Sequence, residues 1–325
     1  MYRPHFLHAV LALLSVFVGS IHAAGAPTDE GTDSLLPMRQ HSIYAPYVDQ
    51  DLQNRWFDFG GEAYVNTNKH IRLTQDRQSE TGWLWSRLPI TVSNFQIDIE
   101  FSISGKSHHL NGDGMAVWLT KGRATYGPVF GSADQFEGLG LFFDTYANGR
   151  HPYTFPRVVA MMGDGVKRYD HDTDGDTNSV GACSASIRRS DIKTMARIIY
   201  KKGESLSVLL QYKGWDEWTP CFEIKGAILP DSPYLGVTAI TGELHDAHDI
   251  ISIQSNSIQL RQHTEPLSHD GSRVGSRERG RISSGGSGWF GFLLKVSLFG
   301  GVCAAGFQGY KVYYLQGGRW SNKRF

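Results

Sequence analysis

One stretch of nine residues, Phe95 to Ile103, alternates strictly between apolar and polar side chains (Phe-Gln-Ile-Asp-Ile-Glu-Phe-Ser-Ile). This period of two is typical of a β-strand with one face buried. Shorter β-like runs follow, most of them separated by turn residues, at 115–119, 139–143, 158–162, 196–200, 206–212, 234–240 and 250–260. We find no convincing helix and no internal repeat. The sequence therefore predicts an all-β fold of two antiparallel sheets packed face to face.

Both ends of the chain are predicted to lie outside this fold. Residues 1–24 have the features of a secretory signal peptide: Arg3, an apolar run from residue 9 to residue 18, and small residues at Ala23 and Ala24. Residues 289–310 begin with an apolar run of 19 residues, 289–307, which at ~1.5 Å per residue spans a hydrocarbon core of roughly 30 Å. The alternatives are an N-terminal membrane anchor and a buried amphipathic helix.

A cleaved signal followed by one late transmembrane helix predicts a single-pass type I membrane protein. The folded luminal domain would occupy residues 41–265, a polar Gly/Ser-rich stalk residues 266–288, and a short cytosolic tail residues 311–325. The 32 basic residues balance the 32 acidic ones, so bulk charge excludes a strongly basic nucleic-acid-binding protein. Cys183 and Cys221 fall in the luminal part, where the oxidising environment would allow them to pair.

An acidic stretch at residues 169–176 (Tyr-Asp-His-Asp-Thr-Asp-Gly-Asp) is the first candidate site. Its four carboxylates repel one another unless a cation or solvent neutralises them. Oxygen ligands without thiols favour a hard cation such as Ca²⁺. The spacing begins like an EF-hand loop, but Gly181 stands where that loop requires a glutamate, so we reject an EF-hand. A solvated acidic loop is the alternative.

Two further motifs add polar groups at the ends of apolar strands. In the run 139–148, Asp144 ends the apolar stretch and Asn148 follows four residues later. A carboxylate, the Tyr146 carbonyl and an amide oxygen could therefore meet one ion. Asp113 stands between two glycines just before another apolar strand, and the glycines let the backbone bend to present it. A carboxylate held in this way could accept hydrogen bonds from sugar hydroxyls.

These motifs occur in the order Gly-Asp-Gly, Phe-Asp-Thr-Tyr-x-Asn, Tyr-Asp-His-x-x-Asp-Gly and Thr-Gly-Glu-Leu-x-Asp-x-His-Asp-Ile. This order resembles the leguminous-type (L-type) lectin domain of secretory-pathway cargo receptors. The resemblance covers residues 41–262, and the predicted signal, span and tail agree with it. It implies a concanavalin-like antiparallel β-sandwich (jelly roll), Ca²⁺ as cofactor and high-mannose N-glycans on glycoproteins as ligands.

The resemblance also implies a place in the cell and a role for individual residues. The membranes would be those of the endoplasmic reticulum, the ER–Golgi intermediate compartment and the Golgi, and vesicle coat proteins would bind the tail ending in Lys323-Arg324-Phe325. The implied calcium ligands are Asp144, Tyr146 through its carbonyl, Asn148 and Asp174. The implied sugar-binding residues are Asp113, Tyr146, Asn148, His171, and the backbone N–H groups of Gly242, Glu243 and Leu244. Cys183 and Cys221 correspond to the family disulfide.

The chain departs from the family pattern at Trp83, where the family often has a small polar residue that contributes to sugar binding. The effect of Trp83 on the pocket is left open.

The resemblance implies a non-enzymatic lectin that acts as a cargo receptor in ER–Golgi transport, and the sequence leaves two alternative functions. A glycoside hydrolase on the same fold needs two carboxylates ~5–9 Å apart that no metal occupies. Asp98-Ile99-Glu100 is the nearest match, and Ile103 stands where a third carboxylate is expected. A lectin-like adaptor that binds proteins would have no need of Asp113 and Asn148, and both are present.

Overall fold

A computed structural model describes residues 33–107 and 111–260 of the chain. Within these ranges it has fifteen β-strands and three short 3₁₀-helices. The strands are β1 Ser34–Pro37, β2 Phe57–Gly61, β3 Tyr64–Asn66, β4 His70–Thr74, β5 Thr81–Ser86, β6 Asn94–Ser104, β7 Gly114–Thr120, β8 Glu137–Asp144, β9 Arg157–Asp164, β10 Ser179–Ser184, β11 Thr194–Lys201, β12 Ser205–Gln211, β13 Thr219–Lys225, β14 Tyr234–Ile240 and β15 Ala247–Gln259. The 3₁₀-helices are Arg39–His41, His171–Thr173 and Asp176–Asn178.

The strands form two antiparallel sheets, as the sequence predicts. The first sheet has the order β13-β12-β11-β6-β15-β4-β3, and β1 also pairs with β15. The second sheet has the order β10-β9-β8-β7-β14-β5-β2. Consecutive strands pair in β3-β4, β7-β8-β9-β10 and β11-β12-β13, whereas the centres of both sheets are built from strands far apart in the chain, such as β6 with β15 and β7 with β14.

The main core fills the space between the two sheets. The apolar positions of the alternating stretch in β6 all face inward, and Phe95, Ile97 and Ile99 are no more than 1% exposed. Phe101 of the first sheet meets Phe143 of the second edge to face, with ring centroids 5.0 Å apart. The period of two in the sequence thus arises because one face of this strand packs against the other sheet.

A second apolar cluster covers the opposite face of the second sheet. Its floor is Trp85, Trp118 and Phe142, and loop residues Phe130 and Tyr169 pack onto it. Phe142 lies 5.2 Å from Phe130 and 4.8 Å from Tyr169 between ring centroids. Strands β7 and β8 are therefore buried on both faces, which explains their continuous apolar sequences. This cluster fixes the loops around residues 130 and 169 onto the sheet.

The disulfide between Cys183 and Cys221 joins the two sheets. Cys183 lies in β10, the edge strand of the second sheet, and Cys221 lies in β13, the edge strand of the first. Their Cα atoms are 5.3 Å apart. The pairing expected for these two cysteines is confirmed.

Every predicted β-like run coincides with a strand, namely β6, β7, β8, β9, β11, β12, β14 and β15, and only the runs 206–212 and 250–260 extend one residue beyond their strands. The other seven strands were not predicted. Strand β1 begins at residue 34, so the sheet extends further toward the N-terminus than the expected domain boundary at residue 41. The predicted signal peptide, stalk, transmembrane helix and tail lie outside the described residues. Within the described ranges, no helix is long and apolar enough to cross a membrane.

Candidate functional site

Strand β8, a central strand of the second sheet, ends in Asp144, which is 3% exposed. Its carboxylate accepts a hydrogen bond from the Tyr146 N–H at 2.9 Å, and this bond shapes the turn that follows the strand. Burial raises the pKa of Asp144 well above its ordinary value. The Tyr146 N–H opposes that shift, whereas the nearby carboxylates of Asp174 and Asp113 add to it. The Tyr146 N–H and the nearby Arg157 therefore compensate the charged form of this carboxyl only in part.

The acidic stretch forms a tight loop whose carboxylates have separate roles. Asp170 caps the 3₁₀-helix by accepting the Asp172 N–H at 3.1 Å, and the hydroxyls of Thr173 and Thr177 donate to it at 2.9 and 3.0 Å. The bonds from Thr173 and Thr177, in that order, lower the pKa of Asp170. Asp170 is therefore a structural cap.

The carboxylates of Asp176 and Asp172, in the same stretch, lie nearer the surface than Asp174. Asp176 pairs with Arg157 at 2.6 Å between Oδ1 and Nη2, and Asp172 stays exposed.

Asp174 is the carboxylate of this loop that is completely buried, with 0% exposure. It adopts a left-handed backbone conformation (φ 51°). The Asn148 N–H donates to both carboxylate oxygens at 3.2 Å, and Asn148 Nδ2 donates to Oδ1 at 2.5 Å. These bonds bring the loop after β8 and the acidic loop together.

His151 also contacts Asp174, although sequence reasoning did not select it. Its Nε2 lies 2.6 Å from Asp174 Oδ2, outside hydrogen-bond geometry, and its ring stacks on Tyr153 with centroids 4.7 Å apart. Its closeness in sequence to Asn148 is the one signal that could have indicated it. The sequence contains 13 histidines, so that signal is weak.

The loop before β7 places Asp113 beside these residues. The Asp113 carbonyl accepts bonds from the N–H and hydroxyl of Thr145, both at 3.1 Å, and the Asn111 amide donates to the Thr145 carbonyl at 2.8 Å. The Gly112–Asp113 peptide bond is cis, a feature that the sequence does not signal. Burial raises the pKa of Asp113, and His171 acts against that shift.

The segment 242–244 lies against Asp113 from another side. A Cβ built on Gly242 would stand 3.1 Å from Asp113 Oδ2, and one built on Gly112 would stand 3.3 Å from the Leu244 Cβ. A side chain larger than hydrogen at Gly242 would thus press on Asp113. The Gly242 N–H donates to the Leu244 carbonyl at 3.1 Å. It is therefore engaged within the segment, whereas the resemblance implies that it faces a ligand.

A small pocket of about 170 Å³ opens among these elements, although Asp174 and residues 242–244 do not line it. Its lining is Asp113, Pro128, Phe130, Asp144, Tyr146, Asn148, Tyr169, His171 and Ile240. The expected residues Asp113, Asp144, Tyr146, Asn148 and His171 thus share one cavity. Tyr146 is 38% exposed and His171 is also exposed, so both can meet a ligand from solvent.

Size alone does not identify the site. A larger pocket of about 390 Å³ lies over Trp85 and Trp118 on the same sheet, but the predicted residues do not line it. Trp83, the departure from the family pattern, packs against Gly60 of β2 and does not line the 170 Å³ pocket.

The oxygen donors at the end of β8 suit a hard divalent cation. Asp144 and Asp174 are buried carboxylates, and the loop after β8 supplies the Tyr146 carbonyl and the Asn148 side-chain amide, whose nitrogen here donates to Asp174. In the part of the chain that the structure describes, no three His, Cys, Asp or Glu side chains are grouped as a metal cluster. A cation here would therefore depend on carbonyl and amide oxygens as well as carboxylates, which is the mixture that Ca²⁺ accepts. The donor set fits that ion.

Known proteins resemble this chain in both sequence and fold. A mouse VIP36-like protein is 40% identical over 221 residues, which cover 66% of this chain and 63% of that protein. The mouse vesicular integral-membrane protein VIP36 is 33% identical over 342 residues, covering 98% of this chain and 90% of that protein. An L-type lectin-like domain-containing protein of Schizosaccharomyces pombe is 38% identical over 218 residues, 67% of this chain and 70% of that protein.

Among solved structures, the VIP36 luminal domain in its Ca²⁺/Man3GlcNAc-bound form has a TM-score of 0.64 and 34% identity, and the match covers 70% of this chain and 95% of that chain. The model of the legume-like lectin family matches residues 36–265, which include every residue of the pocket and all strands except the first two residues of β1. The protein belongs to the legume-like lectin family.

Proposed function

We propose that this protein is a calcium-dependent lectin for high-mannose N-glycans and not an enzyme. The observation that carries the proposal is that Asp113, Asp144 and Asn148 line one pocket and that Asn148 also binds the buried Asp174, so that groups from three separate segments meet there. The VIP36 luminal domain supports both parts of the proposal, because it has been solved with Ca²⁺ and with mannose-containing ligands.

In this proposal Asp144, Asp174, the Tyr146 carbonyl and the Asn148 amide oxygen would hold the calcium ion. The ion would supply positive charge to two buried carboxylates and so fix the loop after β8 against the acidic loop. Neutral sugar hydroxyls gain little from each contact, so a useful affinity requires a pocket that is rigid before the sugar arrives.

The side chains around the pocket supply complementary polar groups to a sugar. The Asp113 carboxylate accepts hydrogen bonds from hydroxyls, and the Asn148 amide can donate. Tyr146 and His171 reach the ligand from the exposed rim, and residues Gly242, Glu243 and Leu244 close the side next to Asp113.

Glycan binding with and without calcium tests this function directly. We expect the full-length protein to bind high-mannose glycans on an array in calcium and to lose that binding in EDTA. Asp113→Asn keeps the shape of the side chain but removes its charge, so mannose affinity should fall by about tenfold or more while the melting temperature stays close to wild type. Binding that persists unchanged in EDTA would disprove the calcium role.

We further propose that the protein acts as a cargo receptor in ER–Golgi vesicle transport. In this scheme residues 1–24 are the signal peptide, 41–265 the luminal lectin domain, 266–288 the stalk, 289–310 the membrane span and 311–325 the cytosolic tail that engages vesicle coats. The match to VIP36 over 98% of this chain supports the arrangement, because that relative is named a vesicular integral-membrane protein. Its compartments would be the endoplasmic reticulum, the intermediate compartment and the Golgi.

The geometry argues against the hydrolase alternative. Asp98 and Glu100 lie on the outer face of the first sheet, whereas the pocket lies at the second sheet. Asp98 is paired with Arg197 at 2.7 Å, and Glu100 with Lys193 at 3.1 Å. Carboxylates held in ion pairs away from the pocket cannot act on a ligand there. The protein-binding adaptor is separated from a lectin by the Asp113→Asn experiment.

A further inference from the structure

The segment 241–246, here called the closing loop, is held firmly at its two ends. At the start, Thr241 exchanges bonds with Glu80: the Thr241 N–H donates to the Glu80 carbonyl at 2.9 Å, and the Thr241 hydroxyl accepts the Glu80 N–H at 2.9 Å. At the end, Asp246 is 0% exposed and accepts two bonds from Arg188, both at 2.7 Å. Between these anchors lie the residues that face Asp113.

A second segment, residues 75–80, supports the middle of the closing loop; we call it the brace loop. The Ser79 N–H donates to the Gly242 carbonyl at 3.2 Å, and Gln78 Nε2 donates to the Glu243 carbonyl at 3.0 Å. His245 Nδ1 lies 2.7 Å from Asp76 Oδ1, and because a carboxylate only accepts, this nitrogen carries the proton. Three residues of the closing loop, Gly242, Glu243 and His245, are thus tied to one neighbouring segment.

The brace loop has its own internal support. Glu80 is 5% exposed, and its carboxylate accepts the Gln75 N–H at 2.5 Å and Arg77 Nε at 2.8 Å. The Asp76 carboxylate also accepts the Lys106 N–H at 2.8 Å. A loop closed on a buried carboxylate in this way is a fixed support, so its bonds restrict the closing loop instead of moving with it.

We propose that the brace loop is a positioning element for sugar binding, with Gln78 and His245 as positioning residues. Their hydrogen bonds keep Gly242 against Asp113, where a Cβ would already stand 3.1 Å from the carboxylate oxygen. Neither residue lines the pocket, so each acts through the closing loop. This inference rests on the proposed lectin function.

The test compares variants of the full-length protein. Gln78→Ala and His245→Ala remove the bonds to Glu243 and Asp76, and His245→Asn retains an amide N–H near the position of Nδ1. Lys202→Ala is the matched control, because it removes an exposed ion pair with Asp231. The readouts are the Kd for a mannose disaccharide, the Kd for calcium without sugar, and amide hydrogen exchange across 241–246.

We expect each alanine variant to weaken disaccharide binding about fivefold and to speed exchange in 241–246, because one hydrogen bond contributes ~1 kcal/mol. His245→Asn and Lys202→Ala should stay within about twofold of wild type, as should the calcium affinity of all variants.

Two results would overturn the positioning role alone. In the first, both alanine variants keep the wild-type disaccharide affinity and the wild-type amide hydrogen exchange in 241–246, while Asp113→Asn loses disaccharide binding. The other is an equal loss of calcium affinity, which would indicate general damage to the site. A wild-type protein that binds no disaccharide would instead overturn the lectin function, and this inference with it.

Discussion

At the scale of single residues, the site is defined by carboxylates that are buried before any ligand is considered. Asp174 is 0% exposed and Asp144 3% exposed. The protein supplies partial compensation through the Tyr146 and Asn148 N–H groups. Burying such groups costs free energy unless something pairs with the charge, and a calcium ion would provide that pairing.

This arrangement predicts that the stability of the metal-free protein and the stabilisation added by calcium change in opposite directions with pH. The pKa values of Asp144 and Asp113 are raised by burial, so the folded state binds more protons than the unfolded chain. The free energy of unfolding without metal should therefore fall as pH rises above the ordinary pKa of about 4 through the raised values. Calcium needs the charged carboxylates, so its stabilising effect should grow over the same interval.

Urea denaturation at about pH 5, 6 and 7, in EDTA and in calcium, measures both trends. Asp144→Asn is the control, because without this carboxyl the metal-free slope should be shallower. A calcium effect that is the same at all three pH values would contradict the expected competition between protons and metal.

At the scale of elements, strands β7 and β8 connect the core to the site. Their inner faces pack between the sheets, and their outer faces carry the aromatic cluster that anchors Phe130 and Tyr169. Both of these aromatic residues line the pocket. The same strands therefore provide stability and determine the shape of the pocket.

Phe142 should consequently affect both the stability of the fold and the binding of calcium. It is 0% exposed and lies beneath Phe130 and Tyr169, so Phe142→Ala should lower the free energy of unfolding by ~3–5 kcal/mol and weaken calcium binding. Phe95→Ala, in the core between the sheets, should be similarly destabilising but leave calcium affinity near wild type. Denaturation curves and calcium titrations below the unfolding transition separate the two effects. Equal calcium affinities in both variants would contradict a role for the cluster in shaping the site.

At the scale of the whole molecule, the two sheets are held together by their shared core and, at one edge, by the disulfide. The disulfide joins β10 to β13, which are the last strands of their sheets on the same side. A covalent link between edges restricts the unfolded chain across a separation of 38 residues.

Replacing Cys183 and Cys221 together by alanine should lower the free energy of unfolding by about 4 kcal/mol on the chain-entropy account. Neither cysteine lines the pocket, so glycan and calcium binding should persist wherever the variant is folded. Equilibrium denaturation of the oxidised protein and the double variant provides the comparison. A difference below ~1 kcal/mol would show that the core alone holds the sheets together.

Central strands were predictable and several outer ones were not. Strand β6 shows its period of two because one face is buried and the other meets water. Strand β5 reads Thr-Gly-Trp-Leu-Trp-Ser, and its Gly82 is required because a Cβ there would stand 1.9 Å from the Leu73 carbonyl. A glycine chosen for close backbone approach looks like a turn signal in sequence. Strands β1, β2 and β3 are short, and their residues are mostly exposed (β1) or of intermediate exposure (β2 and β3), so they carry little pattern.

The sequence by itself determined the β-sandwich and the chemistry of the candidate site, because side-chain alternation and oxygen-rich motifs are local properties. The tertiary structure decided which of these groups meet. It turned Asp174 inward while Asp170, Asp172 and Asp176 took other roles, and it added His151 and the brace loop. Those relations depend on contacts between residues far apart in the chain, and such contacts form only when the two sheets and their loops have packed.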